Sequence, residues 1–570
     1  MNRRTFLQAS SMVGLGSLIE QPAHGASPVL QTNALLTAGT TVDTEVLVAG
    51  GSLGGVATAL ALLRNGRKVV LTEECDWLGG QITAQGVPPD EHPWIESHGA
   101  PRSYRRYREL VRSYYRDFYP LSEHAKHAEH LNPGNGSVSR ICHEPKVGVA
   151  VLNQMLAPYQ SSGQLRVLLQ YVPVSSKVSG NWVQSVRFKH VSSGNEVEIT
   201  AGYVIDATEL GDLLPLTGTE YVTGIESKNE TGELHAPDRA DAKDVQAFTT
   251  CFALDYSAGE DFVQKPADYA FWSSYVPAIQ PAWSGRLLDL HYSDPRTLQP
   301  KRLGFDPRPG VPVQESLNLW EYRRIIDRSN FSSGFYHSDI SLINWPQNDY
   351  MLGSLIDVSK REFDAHVAAS KELGLALIYW LQTEAPRPDG KKGWPGLRLR
   401  KDIMGTDDGF AKYPYVRESR RIKAKFTVLE EHVGKDNRKL VEPDTARAER
   451  AASFYDSVGI GYYHIDLHPT QTRNYVDFPS LPFEIPLGAL LPIRMENLLP
   501  ACKNIGTTHL SNGCYRLHPV EWSIGEAVGL LVSYAWDHRL LPADIRDDRR
   551  HLASFQDFLQ TQGVETKWPS

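Results

Sequence analysis

An α/β fold carried by three separated blocks of chain, with an α+β domain inserted before the last, is predicted by the sequence. Three observations predict it. Residues 44–83 read as strand, glycine turn, helix and second strand. Residues 202–213 read as a buried strand that ends at Asp206-Ala207-Thr208 and turns through Gly211. Residues 495–536 read as a short strand (497–501), a turn at Asn504-Ile505-Gly506 and a helix opened by Pro519. The blocks lie at the start, middle and end of the chain, as one split, Rossmann-like nucleotide-binding sheet requires.

In the first block, residues 45–49 are mostly apolar, as a buried parallel strand should be. Gly50, Gly51, Gly54 and Gly55 follow at once. Residues 56–63 form a helix of small and aliphatic residues closed by Asn65-Gly66, and residues 68–72 form the second strand. Glu73 stands at its end, with Glu74 next. This is the order of a dinucleotide-binding unit, with an acid about 20 residues beyond the glycines. The first glycine permits the tight turn, the last lets helix and strand pack closely, and the helix start offers free N–H groups to a pyrophosphate. Glu73 is placed to accept the hydroxyls of an unphosphorylated ribose. Ser52 occupies the position of the usual middle glycine.

A second glycine pair follows in residues 76–96, DWLGGQITAQGVPPDEHPWIE. This stretch resembles the FAD-dependent oxidoreductase family of the two-dinucleotide-fold superfamily, related to fumarate-reductase-like and cobalamin-pathway flavoproteins. The resemblance implies bound FAD, with the Gly79-Gly80 backbone close to its pyrophosphate or ribityl chain. It makes Gly50, Gly51, Ser52, Gly54, Gly55, Glu73, Glu74, Gly79, Gly80, Gln81 and Thr83 the first set of cofactor residues.

Residues 1–26 are read as a targeting segment. Asn2-Arg3-Arg4-Thr5-Phe6-Leu7 matches a twin-arginine signal, a modestly apolar stretch follows, and Ala23-His24-Gly25-Ala26 offers small residues for cleavage. Such a signal implies passage through the twin-arginine translocase, already folded and loaded, to a periplasmic or secreted location. No later run is apolar enough to span a bilayer. The rest of the chain suggests two intimately connected domains. A net charge of −8 without a concentrated basic face argues against a nucleic-acid partner. The 12 Trp and 25 Tyr suit either a ring-bearing or carbohydrate ligand or a large core. Five cysteines without C-x-x-C spacing argue against zinc and iron–sulfur sites, and no metal is expected. Cys502 and Cys514 would be free to pair in an oxidising compartment.

Residues 42–250 are expected to form the first part of the FAD domain, with a helical insertion at 88–140. Within it, SYRRYRELVRSYYRDF has helical periodicity, with Tyr104, Tyr107, Leu110, Val111 and Tyr114 on one side and the arginines read as a solvated face. A lid over the flavin is the alternative. Cys142 and His143 open the next helix, where they either reach the active site or cap and pack. Residues 165–200 alternate as strands of a small sheet. The following DATELGDLLPLTG resembles the family's return to the cofactor, which implies Ala207, Thr208, Gly211 and Asp212 as contacts.

Residues 251–492 leave this pattern and are read as the inserted substrate domain, with a helix at 361–383. Three groups there are candidates for chemistry. The segment 415–421 resembles a family Y-x-R-E-S-R-R motif, and Arg417 is its candidate for substrate or flavin, against an ion-pair framework. Alternation puts His464, Asp466 and His468 on one side of a strand, as a base, substrate contacts, metal ligands or structural polar residues. Residues 344–349 offer side chains to a polyol.

Residues 493–570 close the FAD domain. Gly525, Ala527 and Gly529 allow close helix packing. The resemblance places the N-terminus of this helix toward the flavin O2, with Asn504, Gly506, Arg516, Pro519 and Gly525 as cofactor residues. His509 and His518 then lie near the ring as proton acceptors or structural histidines. The expected reaction is hydride transfer between flavin N5 and a small substrate C–H next to O or N, sugar- or polyol-like in one form. With no second glycine fingerprint for a nicotinamide nucleotide, electrons pass to a quinone, a small redox protein or oxygen. The alternatives are reduction of an unsaturated substrate, or a carbohydrate lyase or isomerase with structural FAD.

Overall fold

The computed structural model describes residues 36–315 and 317–569, so the predicted export segment lies outside the described residues. Strand β1 (Thr40–Ala49) is followed by helix α1 (Leu53–Arg64) and strand β2 (Val69–Glu73). Strands β3 (Leu165–Leu169), β4 (Tyr171–Ser179), β5 (Trp182–His190) and β6 (Glu196–Asp206) join them in one sheet of order β3-β2-β1-β6-β5-β4. Strand Leu498–Pro500 adds to it from the far end of the chain.

The strands read in residues 165–200 as a small sheet belong to this larger one. β3 lies parallel to β2, Val69 beside Leu165 and Glu73 beside Leu169. The stretch continues into β4 only after Gln170 takes a left-handed φ of 64°, which turns the chain. β6 is one strand of two halves. Its first half pairs antiparallel with β5 and alternates in burial, while its last four residues are all buried. There β6 lies between β1 and Leu498–Pro500, both parallel to it. A strand covered on both faces needs an unbroken apolar run, whereas one with a wet face alternates, and β6 is written both ways.

Helix α1 is buried from Leu53 to Leu63 and packs along the His518–His538 helix. Contact is backbone to backbone: a Cβ on Gly525 would fall 2.1 Å from the Gly54 oxygen, and one on Gly529 would fall 2.6 Å from the Thr58 oxygen. The small residues predicted for this helix are thus required by geometry.

Helix α2 (Arg102–Phe118) forms where its periodicity predicts. Tyr104, Tyr107 and Val111 are fully buried, and Tyr104 and Tyr107 pack on Trp522. Two of its arginines depart from the expected solvated face, while Arg106 stays exposed. Arg108 and Arg112 are as buried as the tyrosines, and both bind Glu96 at 2.6 Å, with Glu91 2.9 Å from Arg108. Burial raises the Glu96 pKa, but the two guanidinium groups outweigh it and hold it at about 2.

In the inserted region, strands Phe252–Tyr256, Arg324–Ile326, Ile340–Ile343 and Leu397–Leu399 form a second, antiparallel sheet. The Lys360–Thr383 helix packs against it through Leu373, Leu377, Trp380 and Leu381. It begins at a capping box, in which the Ser359 hydroxyl accepts from Glu362 N and the Glu362 carboxylate accepts from Ser359 N. Six tryptophans (272, 283, 320, 345, 380 and 394) are buried in this core, so half of the 12 serve packing. No helix among the described residues is long and apolar enough to cross a membrane.

Candidate cofactor and substrate sites

The three predicted blocks meet at the start of α1. Gly50 has φ 98°, and a Cβ there would lie 2.2 Å from the Ala207 oxygen. A Cβ on Gly54 would lie 1.7 Å from the Ala501 oxygen. The first block therefore touches the second and the third only because these positions are glycine. Ser52 has an ordinary φ of −59°, and its hydroxyl caps α1 by accepting from Gly55 N at 3.2 Å. The serine is tolerated for that reason and does a capping residue's work.

Glu73 accepts from Gly51 N at 2.7 Å and from Cys75 N at 2.9 Å. Burial pushes its pKa up to about 7, and burial raises that of Glu74 as well. Gly50, Glu73, Glu74, Gly80 and Thr208 line one slot of about 20 Å³ together with Gln85, Glu209 and Tyr413. Gly79 and Gly80 both have positive φ, and Gly51 packs against Leu78 and Glu73. Thr83 donates to the Leu78 carbonyl at 2.7 Å, and Gln81 bridges to the Arg516 carbonyl and to Glu521. Asp206 binds Thr208 and Leu213 N, which shapes the turn through Ala207. Gly211 turns with φ 67°, and Asp212 is held in an ion pair with Arg420 at 3.1 Å. Asn504 braces the Asp206 carbonyl at 3.0 Å, whereas Gly506 packs on Ala424 and Phe426. Pro519 lies in the first turn of the closing helix.

These residues fit a dinucleotide in kind. The glycine turn leaves no room for side chains, and an acid ends β2. In this conformation a carboxylate already occupies the anion position: Glu521 accepts from Gly54 N at 3.1 Å. Lys503 lies among Glu209, Glu521 and Cys502 and supplies their counter-charge. All five cysteines are unpaired, Cys502 and Cys514 included.

A larger cavity of about 170 Å³ lies where the inserted region meets the first and last blocks and brings together His464, Asp466, His468, Arg417 and Arg516. Strand Ile465–Leu467 positions the first three on one side, as alternation predicts. His468 Nδ1 is 2.6 Å from Asp349, and its Nε2 is 3.8 Å from Asp466. Asp349 is wholly buried, accepts from Thr249 at 2.6 Å and pairs with Arg417 at 3.0 Å. Burial raises the Asp349 pKa, but Arg417 and His468 outweigh it and hold it below the usual value. Asp466 behaves likewise: burial opposes its charge, while His468, Arg516, His464 and Arg417 keep it far below the ordinary range. Arg516 donates to the Asp466 carbonyl at 3.0 Å and pairs with its carboxylate at 3.1 Å. His464 Nδ1 is 2.9 Å from Asp477 in an ion pair. Burial lowers the His464 pKa, and Asp477 and Asp466 raise it above the usual value on balance.

His509 and His518 are placed elsewhere. His509 pairs with Glu418 at 2.9 Å beside a small pocket that also holds Glu226, Glu233 and His235. His518 Nδ1 accepts from Asp90 N at 3.1 Å, its Nε2 has no partner, and burial pushes its pKa down to about 4. Asp90 does line the larger cavity, where it holds Arg323 at 3.1 Å. Sequence reasoning did not single out Arg323, Asp90 as a site residue, or Tyr475 and Tyr463. Asp90 lies in the DWLGGQITAQGVPPDEHPWIE segment, the one signal that pointed to it.

No curated protein matches the chain at a significant level. Among solved structures, the chain is similar to an L-proline dehydrogenase from P. horikoshii at 14% identity and TM-score 0.17, covering 33% of this chain and 25% of that one. It is similar to a geranylgeranyl bacteriochlorophyll reductase-like protein from Thermoplasma acidophilum at 10% identity and TM-score 0.31, covering 92% and 85%. A glycerol-3-phosphate dehydrogenase from Bacillus halodurans complexed with FAD matches at 14% identity and TM-score 0.22, covering 38% and 40%. The chain thus spans a quarter of the first relative's length, and likenesses of this size carry no argument about the reaction. Residues 45–559 match the family model described as FAD dependent oxidoreductase, and the chain belongs to that family.

Proposed function

We propose that this enzyme oxidises a small organic substrate at a C–H bond next to oxygen or nitrogen in the 170 Å³ cavity, with His468 taking the proton. The observation that carries this reading is the His468–Asp349 pair at 2.6 Å, opening onto that cavity. A buried carboxylate on one ring nitrogen fixes the tautomer and leaves the other nitrogen as acceptor. The residues of the glycine turn, Glu73, Glu74, Gly79, Gly80, Gln81, Thr208 and the closing helix would hold FAD. Bound there, FAD would supply the hydride-accepting N5. The substrate O–H or N–H proton goes to His468 Nε2, and the substrate leaves as the carbonyl or imine. Asp349 and Asp466 stabilise the resulting imidazolium. Electrons then pass to a quinone, a small redox protein or oxygen, which agrees with export by the twin-arginine route and with the single glycine fingerprint. Residues 42–250 and 493–570 form the cofactor domain in this reading, and residues 251–492 form the substrate domain.

The test is bleaching of flavin absorbance under argon across sugars, amines and hydroxy acids. His468→Asn should keep its FAD and bleach roughly 10²–10⁴-fold more slowly with the substrate found. Unchanged bleaching in that variant, or a flavin that no member of the panel reduces, would count against the proposal.

A further inference from the structure

We propose that a groove of about 480 Å³ between four helices binds one molecule of a single-tailed anionic amphiphile, a carboxylate on an alkyl chain. None of the residues that line it lines the slot at the glycine turn or the 170 Å³ cavity, so this is a separate site.

Helix spacing builds the groove. α1 contributes Leu60 and Arg64, four residues apart, and α2 contributes Arg102, Arg106 and Leu110 at the same interval, so each set shares one face of its helix. Met155 of the Pro145–Ser161 helix and the end of the Arg549–Gln562 helix complete the walls. For α2 this is a third face: its tyrosines enter the core, and Arg108 and Arg112 bind Glu96.

The charge of the groove has one sign. No carboxylate lines it. Arg64 is paired with Glu526, which is buried and also accepts from the Ser103 hydroxyl. Glu109, three positions beyond Arg106, is engaged by Arg112 at 2.9 Å. Arg102 donates to the Gln562 carbonyl at 3.1 Å, and Arg106 has no ion pair or hydrogen bond among the described residues. Arg102 and Arg106 are therefore left without a counter-charge. The whole chain carries −8, but at physiological salt charges beyond about 8 Å are largely screened, so a ligand inside the groove meets the arginines first.

Between the arginines the surface is apolar. Leu110 and Met155 pack on the core with one side and face the groove with the other. Together these features select a ligand class. A cation is repelled, a small inorganic anion leaves the apolar floor wet, and an uncharged chain gains nothing from the guanidinium groups. A carboxylate matches the planar fork of arginine, and its methylene groups cover the floor. The volume lies within the roughly 300–1,000 Å³ of small-molecule sites, which limits the occupant to a single molecule.

The test is calorimetric titration of the FAD-loaded chain with octanoate, 1-octanol, octyltrimethylammonium and acetate, each in monomeric solution. Octanoate should bind about tenfold or more tightly than 1-octanol, as one charge-assisted hydrogen bond provides. It should exceed acetate about a hundredfold, the worth of roughly four buried methylene groups. Flavin absorbance should not change, because Arg64 lies about 15 Å along α1 from Gly54. Arg106→Glu should weaken octanoate about tenfold or more and leave 1-octanol as it was, whereas Leu110→Gln should weaken both. Arg106 is exposed, so Arg106→Glu decides the matter if Leu110→Gln loses its FAD. Octanoate that fails to bind, that shifts the flavin spectrum, or that binds Arg106→Glu unchanged overturns the proposal. Equal binding of the alcohol, the ammonium or acetate overturns it too. Attachment of the chain to phosphatidylglycerol vesicles without binding of free octanoate does the same, and makes the groove part of a lipid-facing surface instead.

Discussion

His518 has one ring nitrogen tied to the Asp90 backbone and the other buried without a partner, which is why its pKa falls to about 4. The ring is neutral in the folded chain at pH 5, where an unfolded histidine is charged. The unfolded state therefore binds the extra proton, and stability falls as pH drops from about 6.5 to about 4. Replacing His518 with Asn should remove one proton from the pH dependence of unfolding in that window and flatten denaturant midpoints measured between pH 6.5 and 4. A slope identical to that of the parent chain would show that His518 titrates normally. The histidines also show how far a single chain position can be read. His464 and His468 were legible together because two-residue spacing on a strand fixes their side. His509 was not, because its partner Glu418 lies 91 positions away and only the fold brings them to 2.9 Å.

At the scale of elements, the start of α1 carries donors that sequence order made legible and an occupant that it did not. Gly55 N is capped by Ser52, and Gly54 N is held by Glu521 from the first turn of the His518–His538 helix. Burial raises the Glu521 pKa, but Lys503 and the Gly54 amide outweigh it, so the carboxylate is charged and sits where a helix N-terminus attracts an anion. A pyrophosphate must displace it from that amide. Glu521→Gln should tighten FAD binding to the apoprotein by about threefold, the worth of a typical charge at a helix end. Quenching of flavin fluorescence on titration measures it, and weaker binding in the variant would mean that Glu521 holds the cofactor instead of competing with it. The arginines of α2 repeat the lesson. Periodicity fixed the tyrosine face, but what covers the other side depends on Glu91 and Glu96, which reach it from outside the helix. β6 was read as two pieces because its alternating half and its buried half carry different patterns, although the backbone runs through both.

The whole molecule is organised by one sheet whose strands come from three distant parts of the chain. Each block was legible because glycine turns and apolar runs are local signals. The cavity was not, since Asp90, Arg323, Asp349 and Arg417 meet only after the inserted region folds against the rest. β1, β6 and Leu498–Pro500 are joined by parallel pairing, Ala49 beside Asp206 and Asp206 beside Pro500. A ligand held by the turns that follow these strands opposes the opening of all three at once. At a free FAD concentration about 100 times Kd, binding adds roughly 2.7 kcal/mol to every opening that destroys the site. Backbone amides of β1, of the last four residues of β6 and of Leu498–Pro500 should therefore gain the same protection from hydrogen exchange on loading, about a hundredfold each. Strand Phe252–Tyr256, in the other sheet, gains it only through openings that also take the cofactor site apart. Protection confined to β1, with Leu498–Pro500 exchanging as fast as in the apoprotein, would mean that the first block grips FAD alone and that the sheet does not open as one unit.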